Sequence, residues 1–141
     1  MVLLALQMAL GSSPAAAAGT LARLAQQTRL SEHERTGFAA LAERGAGLRD
    51  NAKSTRLLEL VAEFPDKMVN FTQFLATQNM LRLQLTAAGH VAVFHGGLSR
   101  MEKEAVVERF RGPARLLLCS EAGSEGRNLQ FAHAVCNFDL P

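Results

Sequence analysis

From Asn51 onward the sequence alternates between short apolar runs and helix-length amphipathic stretches, and that alternation admits few folds. It predicts a helix over 53–63, a strand over 67–72, a helix over 73–88 closed by Gly89 and a strand over 90–94. A helix over 100–110 and strands over 115–119 and 134–140 follow. Strands joined by helices of this length cross over right-handedly, so they lie parallel in one sheet with helices on both faces. The expected fold class is α/β with a parallel sheet. With 141 residues, 48% of them hydrophobic, the chain is long enough to bury a real core.

The first fifty residues read differently. Ser13-Pro14 supplies an N-cap followed by proline at the first helical position, and an Ala/Leu-rich helix should run from there to about Gln27. Ser31 and Glu34 form a capping box for a helix to about Arg44, which Gly45-Ala46-Gly47 should end. The opening MVLLALQMAL lacks the positive start of a signal peptide and is too short to span a bilayer. It is expected to be a helix packed on a neighbour. The domain division expected is thus a helical extension or linker over 1–50 and an α/β lobe over 51–141.

Charge excludes a bulk electrostatic partner. The net charge is +2, with five Lys/Arg against four Asp/Glu in residues 1–50 and ten against nine thereafter. Contact with nucleic acid must then come from locally placed arginines and backbone N–H groups. Cys119 and Cys136 both lie in apolar strand-like runs at a spacing unlike any zinc site, as buried thiols of a cytoplasmic protein would.

In an open parallel sheet, ligands bind outside the carboxyl ends of the strands. Three loops fall there: Thr72-Gln73, the segment His95 to Ser99 (HGGLS), and the segment Ser120 to Ala132 (SEAGSEGRNLQFA). Glycines before a helix present free N–H groups to an anion, and Gly123, Gly126, Ser120, Ser124, Arg127 and Asn128 suit phosphate or ribose. The same residues also suit structural turns. Ser99 is equally an N-cap, His95 equally a hydrogen-bonded strand end, and Arg100, Arg109, Arg111 and Arg115 alternate with Glu102, Glu104 and Glu108 as on a solvated helix. The segment GLRDNAKS over 47–54 imitates a phosphate-binding loop, but Ala52 replaces its second glycine and no strand precedes it.

The ordered set FPDKMVNFTQF, VAVFHGGLS and ARLLLCSEAGSEGRNLQFAHAVCNFDLP resembles the C-terminal RecA-like lobe of superfamily II helicase-related ATPases. The likeness covers residues 53–141. It is nearest to the Swi/Snf group, including the bacterial RNA-polymerase-associated RapA type. The resemblance implies that Thr72 and Gln73 support a nucleic-acid backbone. It places Gly96, Gly97 and Ser99 where helix N-terminal amides meet a phosphate, and Ser120 as a hydroxyl on a backbone phosphate. Gly126 and Asn128 then lie nearest the nucleotide ribose, flanked by Glu125 and Arg127. Asp139-Leu140-Pro141 resembles the lead-in to motif VI.

The implied whole is an ATP-driven translocase on double-stranded DNA, using ATP and Mg2+ and closing this lobe against an N-terminal RecA-like lobe. RNA polymerase or another nucleoprotein stands beside DNA as its target. The chain shows no phosphate loop, acidic metal box or motif VI arginine, so alone it is expected to be inactive, to bind no cofactor tightly and to leave the strand over 134–140 as an open edge. A non-catalytic nucleic-acid- or protein-binding module, and an unrelated α/β nucleotide-binding domain, are the alternatives.

Overall fold

A computed structural model describes residues 2–49, 51–120 and 128–139. The chain divides into two compact units, Met1–Asn51 and Ala52–Pro141.

The first unit contains α1 (Val2–Ser12), α2 (Pro14–Ala25) and α3 (Glu32–Ala46). Ser13 Oγ accepts a hydrogen bond from the Ala16 N–H at 3.0 Å, with Pro14 at the first helical position. Ser31 and Glu34 form a reciprocal capping box at the start of α3. Helix α3 runs to Ala46 with Gly47 as its C-cap, so the Gly45-Ala46-Gly47 stretch ends it two residues beyond Arg44, and Gly45 itself stays helical. A Cβ on Gly45 would sit 3.3 Å from that of Ala18, so glycine is what lets α2 and α3 approach closely. Helix α2 stops at Ala25, short of Gln27, because the Gln26 N–H turns to the Arg23 carbonyl three residues back and tightens the last turn.

The second unit contains α4 (Ala52–Glu63), β1 (Met68–Thr72), α5 (Leu75–Leu85), β2 (Val91–Phe94), α6 (Arg100–Arg111), β3 (Leu116–Ser120) and β4 (Ala134–Asn137). The described strands are parallel in the order β2-β3-β1-β4. Side chains alternate across the strands, so two cores form. On one face Leu57 and Val61 of α4 and Leu81 and Leu85 of α5 pack on Met68, Leu116 and Leu118. On the other, Phe110 packs with Val69, Ala92, Phe94, Leu117 and Cys119. This is the parallel α/β lobe with covered faces that the strand-helix alternation implied.

Element ends are set by side chains that reach far along the chain. The Lys67 ammonium donates to the carbonyls of Phe110, Gly112 and Ala114 at 2.6, 2.9 and 2.8 Å, using its three protons to close α6. Arg115, one of the arginines considered for a basic face, instead donates to the Val61 and Phe64 carbonyls and caps α4. Helix α5 gives way to a 3-10 turn over Thr86–Ala88, and Gly89 has φ 141°, a conformation open to glycine and strained for other residues.

Burial also decides the chemistry of the two free cysteines. Cys119 is buried, and loss of solvent pushes its thiol up to about 11. Burial raises the Cys136 thiol too, against which the nearby Lys53 charge works. Since the thiolate is the nucleophile, iodoacetamide at pH 8 should label Cys136 first and leave Cys119 intact until urea unfolds the lobe, as peptide mass spectrometry would read. The unfolded thiol ionises before the folded one, so Cys119 contributes a loss of stability as pH rises from its ordinary value near 9.0 toward 11 and none below that window. Equal labelling of both cysteines in the folded chain would contradict this.

Candidate nucleotide and nucleic-acid site

The parallel sheet brings the carboxyl ends of β1, β2 and β3 to one edge. Thr72 and Ser120 are direct register partners on β1 and β3, and Phe94, which precedes the His95 to Ser99 loop, pairs with Cys119. Thr72, Gln73, Gly96, Gly97, Ser99 and Ser120 therefore share that edge. Glu125 and Gly126, with the rest of residues 121–127, lie outside the described residues.

Each described residue has a definite local state. Thr72 is 1% exposed and donates its hydroxyl to Asp139 Oδ2 at 2.7 Å. The same carboxylate oxygen accepts the Gln73 N–H at 2.6 Å, and Thr72 Oγ1 accepts from the Phe74 N–H at 3.4 Å. These bonds explain why α5 starts at Leu75 and not at Gln73: the Gln73 amide is held by Asp139, and Phe74 stands in an extended N-cap conformation. The side chain left facing solvent on this turn is that of Gln73. Ser120 is buried at the end of β3.

The glycine loop is largely self-satisfied. The Gly97 N–H donates to His95 Nδ1 at 3.2 Å and the Leu98 N–H to the His95 carbonyl at 3.2 Å. Ser99 Oγ accepts from the Glu102 N–H at 3.3 Å while the Glu102 carboxylate accepts from the Ser99 N–H at 2.7 Å. Those hydrogen bonds, backbone first, lower the Glu102 pKa, with the His95 charge adding to the effect. An incoming phosphate would thus displace a carboxylate already seated at the start of α6.

Asn128 Oδ1 accepts from the Gln130 N–H at 3.1 Å and closes a short turn. Just beyond it, Leu129, Phe131 and Ala132 pack on the second core, with the Phe131 ring centroid 5.4 Å from that of Phe110. The loop is anchored on its C-terminal side by these apolar contacts.

Several residues make contacts here that no local spacing in the sequence signals. Asp139 joins the turn after β1 to the end of β4 across 67 residues, and Lys53 Nζ stands 3.9 Å from its other oxygen and 4.5 Å from the centroid of the Phe138 ring. Lys53 belongs to the phosphate-loop imitation over 47–54, of which Asp50 lies outside the described residues; Ala52 to Ser54 form the first turn of α4. Strand β4 ends at Asn137, short of residue 140, because the chain bends to turn Asp139 inward. Gln78, fully buried on α5, donates to the Phe94 and Leu118 carbonyls and ties β2 to β3. Asn70, on the Thr72 face of β1, is buried with neither amide atom hydrogen-bonded among the described residues.

The sequence match of the helicase conserved C-terminal domain covers residues 52–141, the whole of the α/β unit. The chain belongs to that family. Among curated proteins, the helicase-C chain is 36% identical over 105 residues to the uncharacterized ATP-dependent helicase YqhH of Bacillus subtilis, covering 74% of this chain and 19% of that protein. It is 42% identical over 87 residues to the RNA polymerase-associated protein RapA of Serratia proteamaculans, covering 58% of this chain and 9% of that protein. The chain therefore spans a fifth or less of these relatives. Among solved structures, the C-terminal domain of the Sulfolobus solfataricus SWI2/SNF2 ATPase superposes with a TM-score of 0.59 at 20% identity, covering 89% of this chain and 66% of that one. The C-terminal part of the Fun30 ATPase domain gives 0.60 at 14% identity, covering 88% and 52%. The α/β unit thus shares the fold of SWI2/SNF2 ATPase C-terminal domains and is homologous to YqhH and RapA. Among the described residues no helix is long and apolar enough to cross a membrane.

Proposed function

We propose that this chain acts as the C-terminal lobe of an ATP-dependent double-stranded DNA translocase, gripping one strand through its phosphates and completing one side of an ATP site. The observation that carries the reading is the convergence of Gln73, the Gly96 to Ser99 loop and Ser120 on one carboxyl edge of the sheet. Thr72 acts there from beneath, holding the Gln73 turn through Asp139, while the Ser120 hydroxyl meets a phosphate oxygen. Such contacts position a duplex without reading its bases and weaken as salt rises.

Asn128 serves the ribose side of the nucleotide in this reading, a role it shares with Glu125 and Gly126 of the same sequence motif. The metal and the β- and γ-phosphates fall to the opposing N-terminal RecA-like lobe of the same enzyme. Alone, the chain does not hydrolyse ATP. The RNA polymerase association in the names of the RapA relatives makes a nucleoprotein target the natural extension of this role. Cytoplasmic location accords with it.

The test is ATP hydrolysis by the intact protein that carries this lobe, with and without duplex DNA. Stimulation by DNA is expected, and Ser120→Ala should reduce the stimulated rate by about tenfold or more, the loss of about 1.4 kcal/mol or more of transition-state stabilisation. A rate indifferent to DNA, or to Ser120→Ala, would sink the assignment.

A further inference from the structure

The flank of β2 forms one edge of the described sheet. Among the described residues β2 pairs only with β3. The His90 carbonyl accepts from Arg115 and Leu116 on the β3 side, so the period of two turns the backbone N–H and C=O groups of Val91 and Val93 outward. A groove of about 650 Å³ runs along this edge, floored by Val91, Val93 and Val106 and bordered by His90, Arg82 and Arg109. Arg82 comes from α5, which packs on one face of the sheet, and Arg109 from α6, which packs on the other. Neither makes an ion pair with any described residue, and none of the groove's lining residues is acidic.

We propose that this groove binds an extended acidic peptide segment, which adds a strand to the free edge of β2. Three observations fit one occupant. The outward backbone groups of Val91 and Val93 match another peptide backbone. The valine floor accepts apolar side chains. The two unpaired arginines stand on opposite faces, and successive side chains of a strand also point to opposite faces, so adjacent carboxylates would meet Arg82 and Arg109 together. A nucleic-acid strand would satisfy the arginines but leave the strand edge and the valines without partners. The proposal stands apart from the translocase reading, because the groove starts at the amino end of β2, away from the carboxyl edge.

The test is a titration of the isotope-labelled full chain with an acetylated octapeptide of alternating Thr and Val carrying Glu-Asp at its centre, followed by amide NMR shifts. Shifts at Val91 and Val93 are expected. Arg82→Glu and Arg109→Glu should each weaken binding about tenfold or more, and a Gln-Asn version of the peptide should lose as much. Both arginines are exposed, so these variants keep the fold. Absence of shifts at millimolar peptide overturns the proposal, as does binding unaffected by the charge reversals. A short DNA duplex that displaces the peptide from the same residues would make this a nucleic-acid surface and overturn it equally.

Discussion

Asp139→Ala should lower the stability of the α/β unit by about 1 to 3 kcal/mol, the range for leaving a buried hydrogen-bonding group without its partner. Asp139 is 6% exposed, and one of its oxygens accepts from both the Thr72 hydroxyl and the Gln73 amide. Removing the carboxylate leaves two donors without their acceptor at the end of β1, and the buried Thr72 hydroxyl has little water to turn to. Asp139→Asn keeps one acceptor oxygen and should cost less. Lys53→Met should cost about 1 kcal/mol or less, because the ammonium is 3.9 Å away with 38% of its side chain exposed. Urea unfolding followed by circular dichroism gives the ranking, and hydrogen exchange at the Gln73 amide tests the cause. If that amide stays as protected in Asp139→Ala as in the parent, the carboxylate does not hold the turn.

What the sequence made legible follows from the range of the interactions. Caps are local: Ser13 with Pro14 and Ser31 with Glu34 act within three residues, and both stand in the structure where their sequence placed them. The strands were legible because a sheet covered on both faces needs continuous apolar runs, as at Leu116–Ser120. Gly47 ends α3 as glycine after a helical run signals, whereas the close approach of Gly45 to Ala18 on another helix has no local signal. Arg115 looked like a surface cation because its partners, the Val61 and Phe64 carbonyls, lie more than fifty residues earlier. At the candidate site the order of motifs located the edge, while the state of each residue depends on partners distant in sequence. Ser99 as a cap tied to Glu102 was half visible in the spacing; Thr72 as a buried support for Gln73 was not, since Asp139 is 67 residues away.

Phe110→Ala should be the most damaging apolar truncation on the α6 side, at about 3 to 5 kcal/mol. Phe110 has no exposed surface and lies at the end of α6 against Val69, Ala92, Phe94, Leu117 and Cys119. Its ring meets Phe131 at 5.4 Å between centroids, tilted by 49°, an aromatic pair worth about 0.5 to 1.5 kcal/mol beyond the area it buries. The Lys67 ammonium stands 5.4 Å from the ring while holding the carbonyls that close α6, so the cavity would open beside a charged cap. Truncation should also reach the candidate site, because Phe131 and Leu129 anchor the turn that Asn128 closes. The observable is the Ala132 amide, which donates to the Leu129 carbonyl at 2.9 Å and should exchange faster in Phe110→Ala by more than global destabilisation explains. Val135→Ala is the control: its side chain is 69% exposed on β4, and its loss should change stability by no more than about 0.5 kcal/mol. If both variants cost the same, or Ala132 exchange simply follows global unfolding, Phe110 does not fasten the loop to the core.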